Sequence, residues 1–367
     1  MLSKVKIGLI GCGNISDAYF KGAAAYDILE IVACADLDLA RAQAKARQHG
    51  IAKACTPAEL LADPAVEIVV NLTVPQAHAP VNEQVLRAGK HAYVEKPFAL
   101  DTTSSRRVLE VAAAQGRRVG CAPDTFLGGG IQTCRQLLDE GAIGDPVAAV
   151  AFMMCPGHES WHPAPEFYYQ QGGGPMFDMG PYYITALVNL LGPAKRVSGS
   201  AKITFPERTI TEAKRAGQKI AVQTPTHITG AIDFANGATA TMVMSFDVTP
   251  YPLPCLVVYG TKGTMEVPDP NTFGGPVRVR KAGEKEFVEM PLTHSVERAR
   301  GTGVADMAYA IRAGRPHRAS GELAHHVVEV MAAFEKSSNA NQHVMITSTC
   351  ERPAMLPPGV APNVLDA

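Results

Sequence analysis

Lys4-Val-Lys-Ile-Gly-Leu-Ile-Gly-Cys-Gly-Asn-Ile-Ser16 decides the fold. The apolar run Val5 to Ile10 leads straight into Gly11-Cys12-Gly13, and helix-compatible sequence follows from about Ile15. A buried strand, a tight glycine turn and a helix N-terminus read this way. Gly11 permits the turn and Gly13 lets the backbone approach a pyrophosphate. The first helical turn, entered through Asn14 and Ile15, offers free N–H groups and a positive dipole end to that anion. Ser16 stands where the third glycine of G-x-G-x-x-G/A belongs, so these residues alone fit an ordinary glycine-rich turn equally well. The next strand tips the balance. Glu30-Ile-Val-Ala-Cys-Ala-Asp36 is an apolar run ending in an acid, roughly twenty residues past the glycines, where a dinucleotide fold places the carboxylate that binds the adenosine ribose. Asp36 would repel a 2′-phosphate, and no Arg or Lys follows it before Arg41, so NAD is expected over NADP.

Composition bounds the rest. A chain of 367 residues is too long for one ordinary core and implies two domains. Hydrophobic content of 46% with 19% charged residues is that of a soluble globular protein, and a net charge of -1 leaves no electrostatic footprint for nucleic acid or an anionic membrane. No apolar run approaches a membrane span, and the first strand begins too early for a secretory signal. The eight cysteines are scattered without a C-x-x-C pair, which points to reduced thiols in a cytoplasmic protein.

The first third of the chain alternates strand and helix. Leu39 to His49 predicts a helix closed by Gly50, and Thr56-Pro-Ala-Glu59 is a helix start with capping-box spacing. The strand Val66 to Val70 runs into Asn71-Leu-Thr-Val-Pro-Gln-Ala-His78, and a helix is expected from Ala79 to Ala88. The strand His91 to Val94 closes on Glu95-Lys96-Pro97; a helix from about Thr103 to Gln115 and a strand from Arg118 to Ala122 follow. Such alternation implies an α/β fold with a doubly wound parallel sheet and ligands at the carboxyl ends of its strands. Gly11, Asp36, Thr73 to His78, Glu95, Lys96 and Asp124 all fall at such ends. From about residue 125 strands dominate, with Asn236-Gly237 as a strong hairpin signal. Residues 207–224 read as a polar surface loop. Pro181 at a first helical position, with Gly192 and Pro193 as stops, predicts a helix from about Pro181 to Leu191. A late helix, about Gly321 to Lys336, carries Leu323, Val327, Val330, Met331 and Phe334 as one apolar stripe. The domains expected are 1–124 and 125–367, with the late helices packing back towards the first.

Gly11-Cys-Gly-Asn-Ile15, Thr73-Val-Pro-Gln-Ala-His78, Glu95-Lys96-Pro97 and Gly172-Gly-Gly-Pro-Met-Phe-Asp-Met-Gly180 occur in the order seen in a known family. The chain resembles the Gfo/Idh/MocA oxidoreductases, which include glucose–fructose oxidoreductase and inositol dehydrogenase. The glycine motif is generic, whereas Glu-Lys-Pro with the distal Gly-Gly-Gly…Asp-x-Gly is specific. The resemblance implies an N-terminal Rossmann domain binding NAD through Gly11, Gly13, Asn14, Ile15, Asp36, Thr73, Pro75, His78, Glu95 and Lys96. It also implies a C-terminal α+β domain with a large open, mostly antiparallel sheet, and a homodimer or homotetramer joined through that sheet. Sugars, polyols and their keto forms are the substrates it implies, with Lys96 touching both substrate hydroxyl and nicotinamide ribose.

Hydride transfer from a carbinol needs the hydroxyl proton removed as the C–H hydride leaves. A cation beside the oxygen lowers its pKa, a task that suits Lys96, and a second group accepts the proton. Tyr182 suits that role where much of the family has His, and glucose–fructose oxidoreductase resembles this chain in having Tyr there. In the first turn of its expected helix, its phenolate would be favoured by the dipole. Asp178 is expected to bind a substrate hydroxyl or orient its neighbours, with capping of that helix as the plainer role. Asp124 is a further substrate candidate, as are His162 and Trp161, whose indole suits stacking on a sugar face. His158-Glu-Ser-Trp-His162 matches the zinc signature H-E-x-x-H, but Pro156-Gly157 before it and Pro163 and Pro165 after it deny it the required helix, so no metal is expected. His325 and His326, on the late helix, read as a solvated or satisfied pair. The reaction expected is NAD-dependent hydride transfer at a secondary hydroxyl of a sugar, glycoside or cyclic polyol, with an ammonium at 96 and a phenol at 182 serving one alcohol. Transient oxidation that sets up elimination from a glycoside is the second possibility, and a non-catalytic sugar or dinucleotide sensor the third.

Overall fold

The computed structural model describes residues 2–366. They form two compact units. The first takes the chain up to Gln132, then Thr293–His325 and the segment from Pro353 on; the second is Thr133–Leu292 with His326–Arg352. Residues 293–325 and the tail thus group with the first unit although they follow the second along the chain.

In the first unit, β1 (Val5–Ile10), α1 (Ser16–Ala23), β2 (Leu29–Ala35), α2 (Leu39–His49), β3 (Lys53–Cys55), α3 (Pro57–Ala62), β4 (Ile68–Asn71), α4 (Pro75–Arg87), β5 (His91–Val94), α5 (Thr102–Ala114) and β6 (Val119–Cys121) alternate. Their six strands are all parallel, in the order β3-β2-β1-β4-β5-β6. The central strands are buried on both faces, and so Ile7–Ile10 of β1 and Ile68–Val70 of β4 read as continuous apolar runs rather than alternating ones. Strand order reverses between β1 and β4, which opens a crevice at their carboxyl ends. Local signals set the helix boundaries. Asp38 caps α2 and Gly50 ends it in the left-handed region at φ 67°. Both bonds of the Thr56/Glu59 capping box are present at the start of α3.

The chain continues through α6 (Gly129–Asp139), which passes from the first unit into the second, β7 (Pro146–Met154), α7 (Gly174–Leu191), β8 (Ala194–Lys202), β9 (Glu207–Thr209), β10 (Lys219–Ala221), β11 (His227–Phe234), β12 (Thr239–Ser245), β13 (Leu256–Gly260), β14 (Gly263–Val267), β15 (Val277–Lys281) and β16 (Val288–Met290). Then come α8 (Thr302–Ala313) in the first unit, α9 (Gly321–Ala340), which again crosses from first to second, and β17 (Val344–Met345). The second unit holds a nine-stranded sheet, β16-β15-β14-β13-β7-β12-β11-β8-β17, antiparallel except where β7 and β12 run side by side. Asn236-Gly237 turns β11 into β12, with Gly237 at φ 93°.

Two expectations need correction. Residues 207–224 are not a bare polar loop: β9 and β10 pair antiparallel, and Ile210, Ile220 and Val222 pack with Tyr168, Tyr169 and Phe246 in a small core. Three apolar residues spread through polar sequence are enough, because Arg208 is half of a buried ion-paired cluster with Glu159 and Asp247. Secondly, α7 starts at Gly174, with Pro175 near its N-terminus and Pro181 in its interior. Dense burial from Gly180 to Leu191 outweighs the cost of an internal proline. Among the described residues no helix is long and apolar enough to cross a membrane.

Candidate active site

In the first unit, the candidate residues lie at the carboxyl ends of β1, β2, β4 and β5. Gly11 donates to the Ala35 carbonyl at 2.8 Å and takes φ 99°; a Cβ there would lie 2.6 Å from the backbone of Leu72. A Cβ on Gly13 would meet no heavy atom within 4 Å, so that face of the loop is open. Ser16 takes the place of the third glycine by folding its hydroxyl back onto the Gly13 carbonyl at 2.6 Å. The helix α1 has no side-chain cap, so its positive N-terminal end is not covered by a capping side chain. Asp36 is held rigidly, accepting from the backbone N–H of Cys12 at 2.8 Å and of Asp38 at 2.9 Å. Exposed apolar side chains gather at the same strand ends: Ile15, Leu37 (94% exposed) and Val74 (63% exposed). Sequence reasoning missed Leu37 and Val74; an apolar residue just past a strand end, beside the ribose acid, is the signal that marks them. An open glycine face, an uncapped helix, a fixed carboxylate and exposed apolar residues together fit a dinucleotide.

Around Lys96 the neighbours act as braces. Both carboxylate oxygens of Glu95 are engaged, one by the Tyr19 hydroxyl at 2.8 Å and the other by the Lys96 backbone N–H at 2.9 Å. His78 is buried, with Nδ1 2.6 Å from the Pro97 carbonyl and Nε2 3.1 Å from the Thr73 carbonyl. Burial pulls its pKa below the ordinary value against the effect of those carbonyls; the neutral ring donates to one of them. Asn71 accepts from the Thr73 N–H and hydroxyl and donates to Asn82. Thr73 and Pro75 thus border a loop fixed from beneath, with His78 and Glu95 among its braces. Lys96, at intermediate burial, follows β5, and its peptide bond to Pro97 is cis.

Asp124 is corrected outright. It is fully buried, and its Oδ2 accepts from Gly301 N–H at 2.9 Å and Gly303 N–H at 3.0 Å at the start of α8. Burial raises its pKa, with Arg300 pulling the other way. It anchors a helix and does not meet substrate.

In the second unit, Asp178 and Tyr182 lie one turn apart on the same face of α7. Neither is at the helix start, so Asp178 does not cap α7 and Tyr182 sits beyond the reach of the N-terminal dipole. The neighbouring Tyr183 is committed elsewhere: its hydroxyl donates to the Phe152 carbonyl on β7 at 3.4 Å, and burial raises its pKa. Of the two adjacent tyrosines, Tyr183 is thus the one tied into the sheet, while Tyr182 lies on the same face as Asp178.

The His-Glu-Ser-Trp-His segment forms a single turn, closed by His162 N–H to the His158 carbonyl at 3.1 Å. Its side chains go to separate partners. Glu159 pairs with Arg208 at 3.1 Å, the His162 ring packs edge-on against Trp161, Phe167 and Tyr168, and His158 approaches Asp178 with Nε2–Oδ2 3.9 Å. Trp161 is 60% exposed. Among the described residues no group of three His, Cys, Asp or Glu side chains is arranged to hold a metal ion. His325 and His326 are satisfied: the first bonds the Ser105 hydroxyl at 2.7 Å, the second accepts from Ala194 N–H and meets the Ser348 hydroxyl.

Comparison with known proteins bears on both units. Residues 5–122 match the oxidoreductase family with an NAD-binding Rossmann fold, and residues 131–266 match the GFO/IDH/MocA C-terminal domain. The 1,5-anhydro-D-fructose reductase of Ensifer adhaerens is 27% identical over 265 residues, which cover 70% of this chain and 74% of that enzyme. The dTDP-3,4-didehydro-2,6-dideoxy-alpha-D-glucose 3-reductase of Streptomyces violaceoruber is 33% identical over 53% of this chain, which spans little more than half (57%) of that enzyme. Levoglucosan dehydrogenase in complex with NADH shares the fold, with a TM-score of 0.83 at 19% identity over 94% of this chain and all of that one.

Proposed function

We propose a reaction for this chain, which belongs to the Gfo/Idh/MocA oxidoreductases: hydride transfer between a secondary hydroxyl of a sugar, glycoside or cyclic polyol and a nicotinamide. The nicotinamide, when bound, supplies the hydride acceptor or donor. Gly11 and Gly13 admit its pyrophosphate, the N-terminus of α1 neutralises it, Asp36 takes the adenosine ribose, and Leu37 and Val74 offer apolar contact to the base. Lys96 polarises the reacting oxygen, Tyr182 accepts or returns its proton, and Asp178 holds a neighbouring hydroxyl.

The observation that carries this reading is the corner at Glu95-Lys96. Glu95 spends both oxygens on Tyr19 and on the Lys96 backbone, which fixes the turn that carries Lys96. The test is a panel of sugars, polyols and glycosides followed by nicotinamide absorbance, with Lys96→Ala, Tyr182→Phe and Tyr183→Phe beside the parent. The expected result is turnover abolished in the first, lowered by about a hundredfold in the second and retained in the third, with NAD affinity within a few-fold throughout. Loss of turnover in Tyr183→Phe but not in Tyr182→Phe would refute the assignment. Substrate consumption without net NADH would favour transient oxidation and elimination.

Asp36 supports NAD. One observation favours NADP as a second reading: the exposed guanidinium of Arg41 reaches back to 3.6 Å from Asp36 Oδ1, close to where a 2′-phosphate would need a cation. A tenfold preference for NADP, about 1.4 kcal/mol, would overturn the role given to Asp36.

A further inference from the structure

We propose that His158 is a positioning residue for Asp178: its imidazolium, clamped in an aromatic cage, pairs with the Asp178 carboxylate and holds it in one orientation. The proposal deepens the reading of Asp178 as a substrate-facing carboxylate and rests on it for the kinetic consequence alone. Asp178 lies within α7, past its first turn. The His158 ring brings a charge to 3.9 Å from Oδ2, which is ion-pair distance.

The cage explains why that ring stays where it is. Its centroid lies 3.8 Å from that of Tyr168 in an edge contact, 4.5 Å from Phe246 and 5.4 Å from Trp161. The backbone N–H of His158 is tied to the Tyr169 hydroxyl at 3.3 Å. The three rings confine the imidazole on several sides. The polar groups facing the ring are the Asp178 carboxylate from α7, the Cys155 thiol just after β7 and the Tyr168 phenol. The other acids nearby, Glu159 and Asp247, are taken by Arg208 at 3.1 Å and 3.0 Å. Asp178 is therefore the counter-charge. Burial works against protonation of His158, but Asp178 and Cys155 more than offset it and push the pKa up to about 9.

Two measurements test this, the first independent of any substrate. Nuclear magnetic resonance of the His-labelled protein, with the His158 signal assigned through His158→Gln, follows the ring through alkaline pH. It is expected to titrate near 9 and to fall to about 6.5 or below in Asp178→Asn. A ring that titrates in the ordinary range, or whose titration ignores Asp178→Asn, overturns the proposal. In the second, His158→Gln is expected to lower kcat on a responsive sugar about tenfold, to leave KM for NAD unchanged, and to remove a limb near pH 9 from the kcat/KM profile. His158→Phe keeps the cage packed without the charge and should lose kcat equally. Full kcat in both variants would overturn the positioning role even if the ion pair titrates as expected. Absence of turnover by the parent on every sugar would sink the proposed reaction instead, and the resonance titration would still decide the ion pair.

Discussion

Gly11 and Gly13 stand two residues apart in one loop, and a methyl group added to each meets different surroundings. At Gly11 it collides with the Leu72 backbone at 2.6 Å on a φ of 99°, so Gly11→Ala is expected to lower stability by about 1–3 kcal/mol through strain alone and to distort the loop. At Gly13 it enters open space. Gly13→Ala should leave thermal unfolding within about a degree or two of the parent yet weaken NADH binding, because in the proposed binding mode the methyl takes the space of a phosphate. Thermal melts paired with NADH fluorescence titrations check both; equal affinity in Gly13→Ala and parent would show that the pyrophosphate lies elsewhere. These residues were legible in the sequence because each sits at a junction between strand and helix, where few residue types serve. His158 was not. Its role comes from Asp178, far along the chain on another element, while its own neighbours spell a zinc motif that the local turn cannot use.

Helix α8 shows how one element can be governed from another. Its first residues follow Gly301, which has no capping side chain, and the deficit is met by Asp124, whose Oδ2 accepts from Gly301 and Gly303. Asp124→Ala would leave two buried N–H groups without an acceptor and is expected to cost about 2–4 kcal/mol. Asp124→Asn, which keeps a carbonyl oxygen in place, should cost much less. Urea unfolding measures both, and a substrate KM that moves while stability does not would restore a role in binding. The same remote logic limits what local sequence reveals about elements. The helix α2 was readable to the residue, because Asp38, Gly50 and the alanine-rich run between them agree. The start of α7 was not, since Pro175 and Pro181 are both credible first-turn prolines and burial of the later turns decides between them. Strands β9 and β10 were missed because their apolar residues matter only against Tyr168, Tyr169 and Phe246, which come from other segments.

At the scale of the whole chain, each unit carries its own response to acid. Residues 293–325, with α8, belong to the first unit together with the tail. The titrating groups can likewise be assigned to units. In the first, burial pushes His91 down to about 4, and its Nδ1 accepts from the Arg118 N–H at 2.9 Å, a bond that only the neutral ring makes. The unfolded chain binds a proton at His91 below about 6.5 while the folded chain does not, so stability falls as pH drops from about 6.5 to about 4 and then levels off. In the second unit, burial opposes ionisation of Glu329, but bonds from the hydroxyl and N–H of Thr347 and from Ser348 hold it down to about 2. Its contribution is intact above about 4.5 and is lost as pH falls towards about 2. Acidification is thus expected to weaken the first unit before the second. Melts from about pH 7 down to about pH 5 should show a stability loss that His91→Gln reduces and Glu329→Gln leaves unchanged. Below about pH 4 the dependence should be reduced in Glu329→Gln alone. If His91→Gln retained the full loss in the upper window, the buried neutral imidazole would not be the group that titrates there.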